Sequence, residues 1–201
     1  DVIASEEKIV KYLDIPIQHC DKDILRLMNR SGSEEELRAL FAKIRDKIPN
    51  VTLRTTIITG FPKESGEKYV ALAEFVKDME FDRLGCFAYS EEEGTPAAEM
   101  DGQIDEELRQ KRAELIMDMQ HIISERKNAQ KLGEVVEAVV EGYDESNESY
   151  YGRSAADAPD IDGKVYFTSD KELKVGDYVD IKITKNLDYD LIGVVVDEFT
   201  E

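Results

Sequence analysis

Tryptophan is absent from this 201-residue sequence, and cationic side chains are scarce. Lysine and arginine number 26 against 45 aspartates and glutamates, which gives a formal net charge of −19 at pH 7. Because binding to a nucleic-acid backbone requires clusters of lysine and arginine, we expect no direct nucleic-acid partner; a basic protein is a better electrostatic match. The sequence has no apolar run of roughly 18 residues and no signal segment, so we expect a cytoplasmic protein without membrane contact.

Cysteine is limited to Cys20 and Cys86, which stand far apart in the sequence. A disulfide scaffold is therefore not expected, and a reduced cytosolic protein fits better. An iron–sulfur cluster typically needs several cysteines close in sequence, which the chain lacks. His19 precedes Cys20, but no second Cys/His pair stands at ligand spacing. We expect no metal site here; a buried thiol and an ordinary polar histidine are the simpler interpretation.

The first two-thirds of the chain alternates short apolar runs with helical patterns. The runs at residues 12–17, 51–59 and 83–89 predict strands, and Asp21 and Ser33 are typical of helix N-caps between them. This alternation indicates an α/β fold built from βαβ units with parallel strands. In barrels of this class, ligands bind at the carboxyl ends of the strands.

A long helix is predicted from Asp105 to about residue 131. Apolar residues recur along it at helical spacing, and we expect them to form one buried stripe. The stripe consists of Leu108, Leu115, Met119, Ile122 and Ile123.

The pattern becomes all-β after Gly133, which predicts two domains, residues 1–132 and residues 133–201. Short strands separated by turn residues predict a small closed β-barrel of the OB type. The strands are predicted at residues 135–140, 150–152, 163–167, 178–184 and 191–196. Residues 133–201 carry 18 acidic and 6 basic side chains, a net charge of −12, so the second domain holds most of the negative charge.

Polar and glycine residues follow the predicted parallel strands, at positions 16–19, 54–64 and 87–95. The alternation of a strand places Arg54 and Thr56 on one face. An arginine on a buried strand needs an anionic partner; a ligand carboxylate is one candidate, and escape to solvent at the strand edge is the alternative. These segments are therefore the candidate ligand site.

Four stretches together resemble one known family. YLDIPIQH, RTTIITGFPKE and FAYSEEEGTPAA resemble the later part of the barrel of radical S-adenosylmethionine methylthiotransferases, and GRSAADAPDIDG resembles the TRAM domain of the RimO branch. The resemblance implies that residues 1–132 are the later part of a radical SAM (βα) barrel of TIM-like type and that residues 133–201 are a TRAM β-barrel. Where the family usually reads GFPGE, Lys63 replaces the second glycine.

The resemblance also implies eight residues that bind S-adenosylmethionine. Gln18 is expected near the ribose, and Arg54 and Thr56 at the methionine part. Ile58 and Gly60 are expected at the adenine, and the backbone of Phe87, Ala88 and Tyr89 along the adenine edge.

The family's catalytic CxxxCxxC loop does not occur in this sequence. In the family, that loop holds one [4Fe–4S] cluster and a separate amino-terminal domain holds a second. We therefore expect the full-length protein to use S-adenosylmethionine and two clusters. The chain alone is expected to contain no catalytic residue, to bind no cofactor and to be inactive.

Two branches of the family compete for the function. The RimO branch methylthiolates the β-carbon of an aspartate on protein twelve of the small ribosomal subunit, and the MiaB-like branch modifies an adenosine in tRNA. A net charge of −12 on the second domain favours a basic ribosomal protein over tRNA. A non-catalytic protein-binding module is the remaining alternative, with Tyr143, Tyr150, Tyr151 and Tyr166 as a possible contact surface. The protein is expected to be a monomer.

Overall fold

The computed structural model describes residues 1–196, which form two compact units. The first unit comprises residues 1–7 and 13–123, and the second comprises residues 8–12 and the chain from residue 124 onward. The division falls inside a long helix, before Gly133. The predicted domain bounds of 1–132 and 133–201 stay a prediction.

The first unit is built around a three-stranded sheet with the order β1-β2-β3. The strands are β1 (Tyr12–Asp14), β2 (Thr52–Thr59) and β3 (Arg83–Ala88). The helices are α1 (Val2–Ser5), α2 (Lys22–Leu27), α3 (Glu34–Lys47), α4 (Gly66–Met79) and α5 (Glu106–Gln130), the last of which extends into the second unit. Strands β2 and β3 run parallel, which confirms the predicted α/β fold.

Side-chain caps fix where three of these helices begin. The Asp21 carboxylate accepts hydrogen bonds from the backbone N–H groups of Asp23 and Ile24, both at 3.0 Å. The hydroxyls of Ser33 and Ser65 each accept one backbone N–H at 3.3 Å in the same way. Such caps satisfy amide donors that have no partner within the helix, so each of these helices begins at a defined residue.

Strand β2 supplies the centre of the first core. Leu53 and Ile57 alternate along it and are fully buried, and three phenylalanine rings from the surrounding helices and turns pack into the same core. Phe81 lies edge-on to Phe41 at 5.0 Å and next to Phe75 at 6.3 Å. Burying each such side chain contributes about 1.5–3 kcal/mol relative to leaving it exposed. This packing holds β2 and β3 rigidly beneath the candidate site.

The predicted buried stripe of α5 is wrong at most of its positions. Leu108, Leu115 and Ile122 are 43–65% exposed, whereas Ile123 is buried. The buried residues of α5 are largely polar and are Arg109, Arg112, Ala113, Ile116, Gln120, Ile123, Ser124 and Asn128. The two arginines and the glutamine among them are hydrogen-bonded to backbone carbonyls, which offsets the cost of removing them from water.

The second unit contains the closed β-barrel that the sequence predicted. Its strands are β4 (Val135–Asp144), β5 (Ser149–Ser154), β6 (Val165–Thr168), β7 (Tyr178–Asn186) and β8 (Leu191–Val195). They close in the order β4-β5-β6-β8-β7; β6 and β8 are parallel and the other pairs antiparallel. The barrel core consists of Ala138, Val140, Val165, Phe167, Ile181, Ile183 and Leu191. Between residues 1 and 196, no helix is both long enough and apolar enough to cross a bilayer.

Candidate functional site

A cavity of about 630 Å³ opens at the carboxyl ends of β2 and β3. Its volume lies in the range of roughly 300–1,000 Å³ that is usual for small-ligand sites. Five of the eight predicted site residues line it, namely Gln18, Ile58, Phe87, Ala88 and Tyr89. The other walls come from the end of α2, from the loop after β2 and from the loop after β3, through Leu27, Met28, Asn29, Arg30, Phe61, Ser90, Thr95, Pro96, Ala97 and Met100.

Backbone hydrogen bonds tie the strand ends into one edge. Gln18 has a left-handed backbone, with φ of 69°; its N–H donates to the Thr56 carbonyl at 2.9 Å, and its carbonyl accepts from the Ile58 N–H at 2.8 Å. On the other side of β2, the Tyr89 N–H donates to the Thr59 carbonyl at 2.8 Å. The segments after β1 and β3 are thereby fixed on either side of the end of β2.

The cavity combines apolar walls with a few polar groups. Ile58, Phe61 and Phe87 supply apolar surface, and Phe87 is 60% exposed although it lies within β3. The side-chain oxygen of Gln18 is buried and has no hydrogen-bond partner among the described residues. An unsatisfied buried acceptor costs about 1–3 kcal/mol, so a hydroxyl or amino donor on a ligand would be favoured there. The arrangement suits a flat, largely apolar ligand with polar edges.

Arg54, Thr56 and Gly60 do not line this cavity. Arg54 and Thr56 share the less buried face of β2 with Ile58, as the alternation predicted. The Arg54 guanidinium forms an ion pair with the Asp14 carboxylate at 2.6 Å, so a protein carboxylate is an anionic partner of this arginine. The roles of the eight residues toward S-adenosylmethionine stay a prediction.

Gly60 lies against helix α5. Its φ is +76°, a left-handed conformation that favours glycine, and a Cβ atom added there would stand 2.3 Å from Cγ of Arg109. Lys63, three residues later, also has a positive φ, of 69°. A left-handed backbone at this position accounts for a glycine in the family's usual sequence and imposes strain on the lysine.

A buried ionic cluster beneath the cavity was not predicted. The Glu64 carboxylate is 2% exposed and accepts the Gly60 N–H at 3.0 Å and Nη1 of Arg112 at 2.7 Å. Nε2 of His19 lies 3.3 Å from the same carboxylate, and Nδ1 of His19 accepts the Asp21 N–H at 2.9 Å. Because Nδ1 is occupied by the Asp21 N–H, Nε2 is the ring nitrogen that faces Glu64.

The two cysteines are poor metal ligands in this fold. Burial raises the pKa of Cys20 to about 12, and burial does the same for the half-buried Cys86. Both thiols are therefore protonated at neutral pH, whereas metal binding requires the thiolate. Among residues 1–196, no three histidine, cysteine or acidic side chains are grouped so that they could hold a metal ion.

The barrel unit has two adjoining cavities of its own, of about 470 Å³ and 420 Å³, which share Thr168. Glu148, Glu172 and Asp190 line them, and Tyr143 on their rim is 49% exposed.

The other three tyrosines that the sequence singled out also make contacts within the barrel. The Tyr150 hydroxyl accepts the Leu173 N–H at 3.1 Å. The Tyr151 ring lies under the Lys164 ammonium and beside Tyr166. Tyr150 and Tyr151 therefore have structural roles, and Tyr143 is the most exposed of the four.

Family profiles match both parts of the chain. The profile of the Radical SAM superfamily matches residues 2–76, and that of the TRAM domain matches residues 132–196. The first match includes β1 and β2 with Gln18, Arg54 and Ile58, and the second covers the β-barrel.

Several proteins with curated descriptions are similar to this chain over nearly its whole length. The chain is 48% identical over 196 residues to the ribosomal protein uS12 methylthiotransferase RimO of Acetivibrio thermocellus, which is 98% of this chain and 43% of that protein. The proteins of the same description from Clostridium botulinum and Clostridium acetobutylicum are 48% and 47% identical, over 98% and 99% of this chain and 44% of their own lengths. The chain thus spans less than half of these relatives.

One solved structure shows a weak likeness. This structure is coproporphyrinogen III oxidase HemN from Escherichia coli, described as a radical SAM enzyme. The match has a TM-score of 0.45 and 24% sequence identity, and it covers 56% of this chain and 27% of the HemN chain. A likeness this weak supports no structural argument. The family profiles and relatives confirm the resemblance: the chain combines Radical SAM superfamily sequence with a TRAM domain and is related over nearly its whole length to the RimO methylthiotransferases.

Proposed function

We propose that the complete protein is a cytoplasmic methylthiotransferase that uses S-adenosylmethionine to methylthiolate the β-carbon of an aspartate on ribosomal protein uS12. The observation that carries the proposal is the cavity at the ends of β2 and β3, in a chain 45–48% identical to RimO proteins. The names of the relatives supply the methylthiotransferase reaction and uS12 as its substrate. The family resemblance supplies the aspartate β-carbon as the position modified.

The residues around the cavity suit part of S-adenosylmethionine. Ile58 and Phe87 offer apolar surface to the adenine, and the backbone of Ala88 and Tyr89 runs along the cavity wall. The unsatisfied side-chain oxygen of Gln18 would accept a ribose hydroxyl. Arg54 and Thr56 are assigned to the methionine part, which requires Arg54 to share its guanidinium between Asp14 and the ligand. When bound, S-adenosylmethionine supplies the methyl group and the source of radical chemistry.

The proposal assigns both [4Fe–4S] clusters to parts of the complete protein outside this chain. Cys20 is buried and Cys86 half-buried, and burial raises the pKa of both thiols to about 12. Among residues 1–196, no three histidine, cysteine or acidic side chains are grouped as metal ligands. The chain alone is therefore inactive in this account. The check is to reconstitute it with iron and sulfide and record the absorbance; a stoichiometric cluster would overturn the assignment.

The proposed substrate contact is the acidic TRAM barrel. Its cavities are lined by Glu148, Glu172 and Asp190 beside the half-exposed ring of Tyr143, a combination that suits lysine and arginine side chains. Charge complementarity of this kind mainly accelerates encounter and sets orientation. The same charges would repel the phosphates of tRNA, which makes a tRNA substrate the weaker candidate.

The decisive assay supplies the complete, cluster-loaded protein with S-adenosylmethionine and either uS12 or tRNA. We expect a methylthio group on one uS12 aspartate by tandem mass spectrometry and none on tRNA. Modification of tRNA instead would support the MiaB-like function, and absence of S-adenosylmethionine cleavage would support a binding module.

The docking surface is tested by charge reversal in the complete protein. Glu148→Lys with Glu172→Lys should slow association with uS12 and flatten its dependence on salt. The matched control reverses two exposed glutamates of the other unit, Glu35→Lys with Glu67→Lys. Equal effects of the two pairs would show that only total charge matters.

A further inference from the structure

Two arginines on α5, Arg109 and Arg112, lie one turn apart and are both at least nine-tenths buried. We propose that they are positioning residues that hold the two loops after β2 and β3 and so preset the wall of the proposed S-adenosylmethionine site. The inference rests on the proposed function. Neither arginine lines the cavity, so both act through the backbone that does.

Arg109 holds the loop after β3. Its Nη1 donates to the Tyr89 carbonyl at 3.0 Å, its Nε to the Ile104 carbonyl at 2.7 Å, and its Nη2 to the Glu91 carboxylate at 2.7 Å. The guanidinium also lies 5.5 Å from the centre of the Tyr89 ring. These three acceptors lie at the start and end of the loop, whose residues 95–97 and 100 line the cavity. One planar group therefore sets the separation of the two ends of the loop.

Arg112 holds the loop after β2. Its Nη1 donates to the Glu64 carbonyl at 2.9 Å and to the Glu64 carboxylate at 2.7 Å. The carboxylate in turn accepts the Gly60 N–H through both oxygens at 3.0 Å. Gly60 directly follows the strand that carries Ile58. The Arg109 side chain packs directly against Gly60. The two arginines thus connect the strand ends on which Ile58 and Tyr89 stand.

The geometry explains why arginine is required. A guanidinium offers five donors in a fixed planar fork, so it can bridge acceptors on different segments; a lysine ammonium lacks that fixed geometry. Because the acceptors are mainly carbonyls that have already left the sheet, loss of the fork would free the loops without unpairing β2 and β3. The effect should appear in ligand affinity before it appears in the fold.

The test measures S-adenosylmethionine affinity in the complete, cluster-loaded protein carrying Arg109→Gln or Arg109→Lys. We expect Arg109→Gln to raise the dissociation constant and KM at least about tenfold, because small misplacements in a binding site carry penalties of this order. Arg109→Lys should recover only part of the affinity. Amide hydrogen exchange in residues 89–104 should accelerate in parallel.

The matched control is Arg45→Gln. Arg45 also donates to two backbone carbonyls, those of Met79 and Glu80, but lines no part of the cavity. It should lower the melting temperature with unchanged affinity, which separates positioning from a general loss of stability. If Arg109→Gln does not fold, Glu91→Gln removes the negative charge from one of the three acceptors, at a partly exposed site, and should weaken binding in the same direction.

The outcomes separate the two claims. Unchanged affinity in both Arg109→Gln and Glu91→Gln, with a wild-type protein that binds S-adenosylmethionine, overturns the positioning role alone. A wild-type protein that binds none overturns the proposed function and this inference together.

Discussion

Replacing Glu64 with glutamine would remove the negative charge at the centre of the buried cluster. The Glu64 side chain is completely buried and Arg112 is 8% exposed, so solvent cannot compensate the charge that remains on Arg112. Breaking a buried ion pair by removal of one partner typically costs about 3–5 kcal/mol. A whole domain is commonly stable by only about 5–15 kcal/mol, so Glu64→Gln should consume a large part of the stability of the first unit.

Urea unfolding followed by circular dichroism at the helical band is the assay, since α2, α3 and α4 all belong to the first unit. The control is Asp78→Asn, which neutralises one of the two carboxylates paired with Arg38, at a site where that carboxylate is 58% exposed, and should cost under about 1 kcal/mol. The double variant Glu64→Gln with Arg112→Met should lose less free energy of unfolding than the sum of the losses in the two single variants. A cost below about 1 kcal/mol for Glu64→Gln would refute the structural importance of the cluster.

Three further outcomes follow from local geometry. Asp21→Ala should destabilise the first unit by about 0.5–2 kcal/mol near neutral pH. Burial raises the pKa of the Asp21 carboxyl, but hydrogen bonds from Lys68 and the Ile24 amide outweigh burial and lower this pKa. The penalty should therefore fade below about pH 4, and a constant penalty down to pH 2 would contradict this. Cys20 and Cys86 should resist alkylation at pH 8 until urea unfolds the chain; rapid native labelling would disprove the raised pKa values. Lys63→Gly should be neutral or stabilising by up to about 1 kcal/mol in thermal melts, since it relieves a positive φ; clear destabilisation would argue against strain there.

The parts of the fold that local chemistry determines could be predicted from the sequence. The caps at Asp21 and Ser33 stand where the predicted helices begin. A short polar side chain directly before a run of helical period is typical of an N-cap, because its oxygen accepts a free backbone N–H of the first turn. The alternating burial of β2 and the five barrel strands also follow their sequence patterns. The proximity of the strand ends near Gln18 and Tyr89 could be predicted because parallel strands share one carboxyl edge.

The buried polar contacts could not be predicted in the same way. On α5, the apolar residues Leu108 and Leu115 proved exposed while Arg109 and Arg112 are buried, because acceptors from distant loops compensate the guanidinium charges. A prediction from hydrophobic periodicity uses only the polarity of each residue and contains no information about hydrogen-bond partners elsewhere in the chain. The pairing of Arg54 with Asp14 was missed for the same reason: the two residues are 40 positions apart.

The central claim is that the ends of β2 and β3, with Gln18 beside them, form a surface that recognises S-adenosylmethionine. The most direct measurement is amide hydrogen exchange of the complete, cluster-loaded protein with and without saturating S-adenosylhomocysteine, with methionine as the comparison ligand. The account predicts that exchange slows around Gln18, Ile58 and residues 87–89. Slowing confined to other surfaces, or none at saturating S-adenosylhomocysteine, would contradict it.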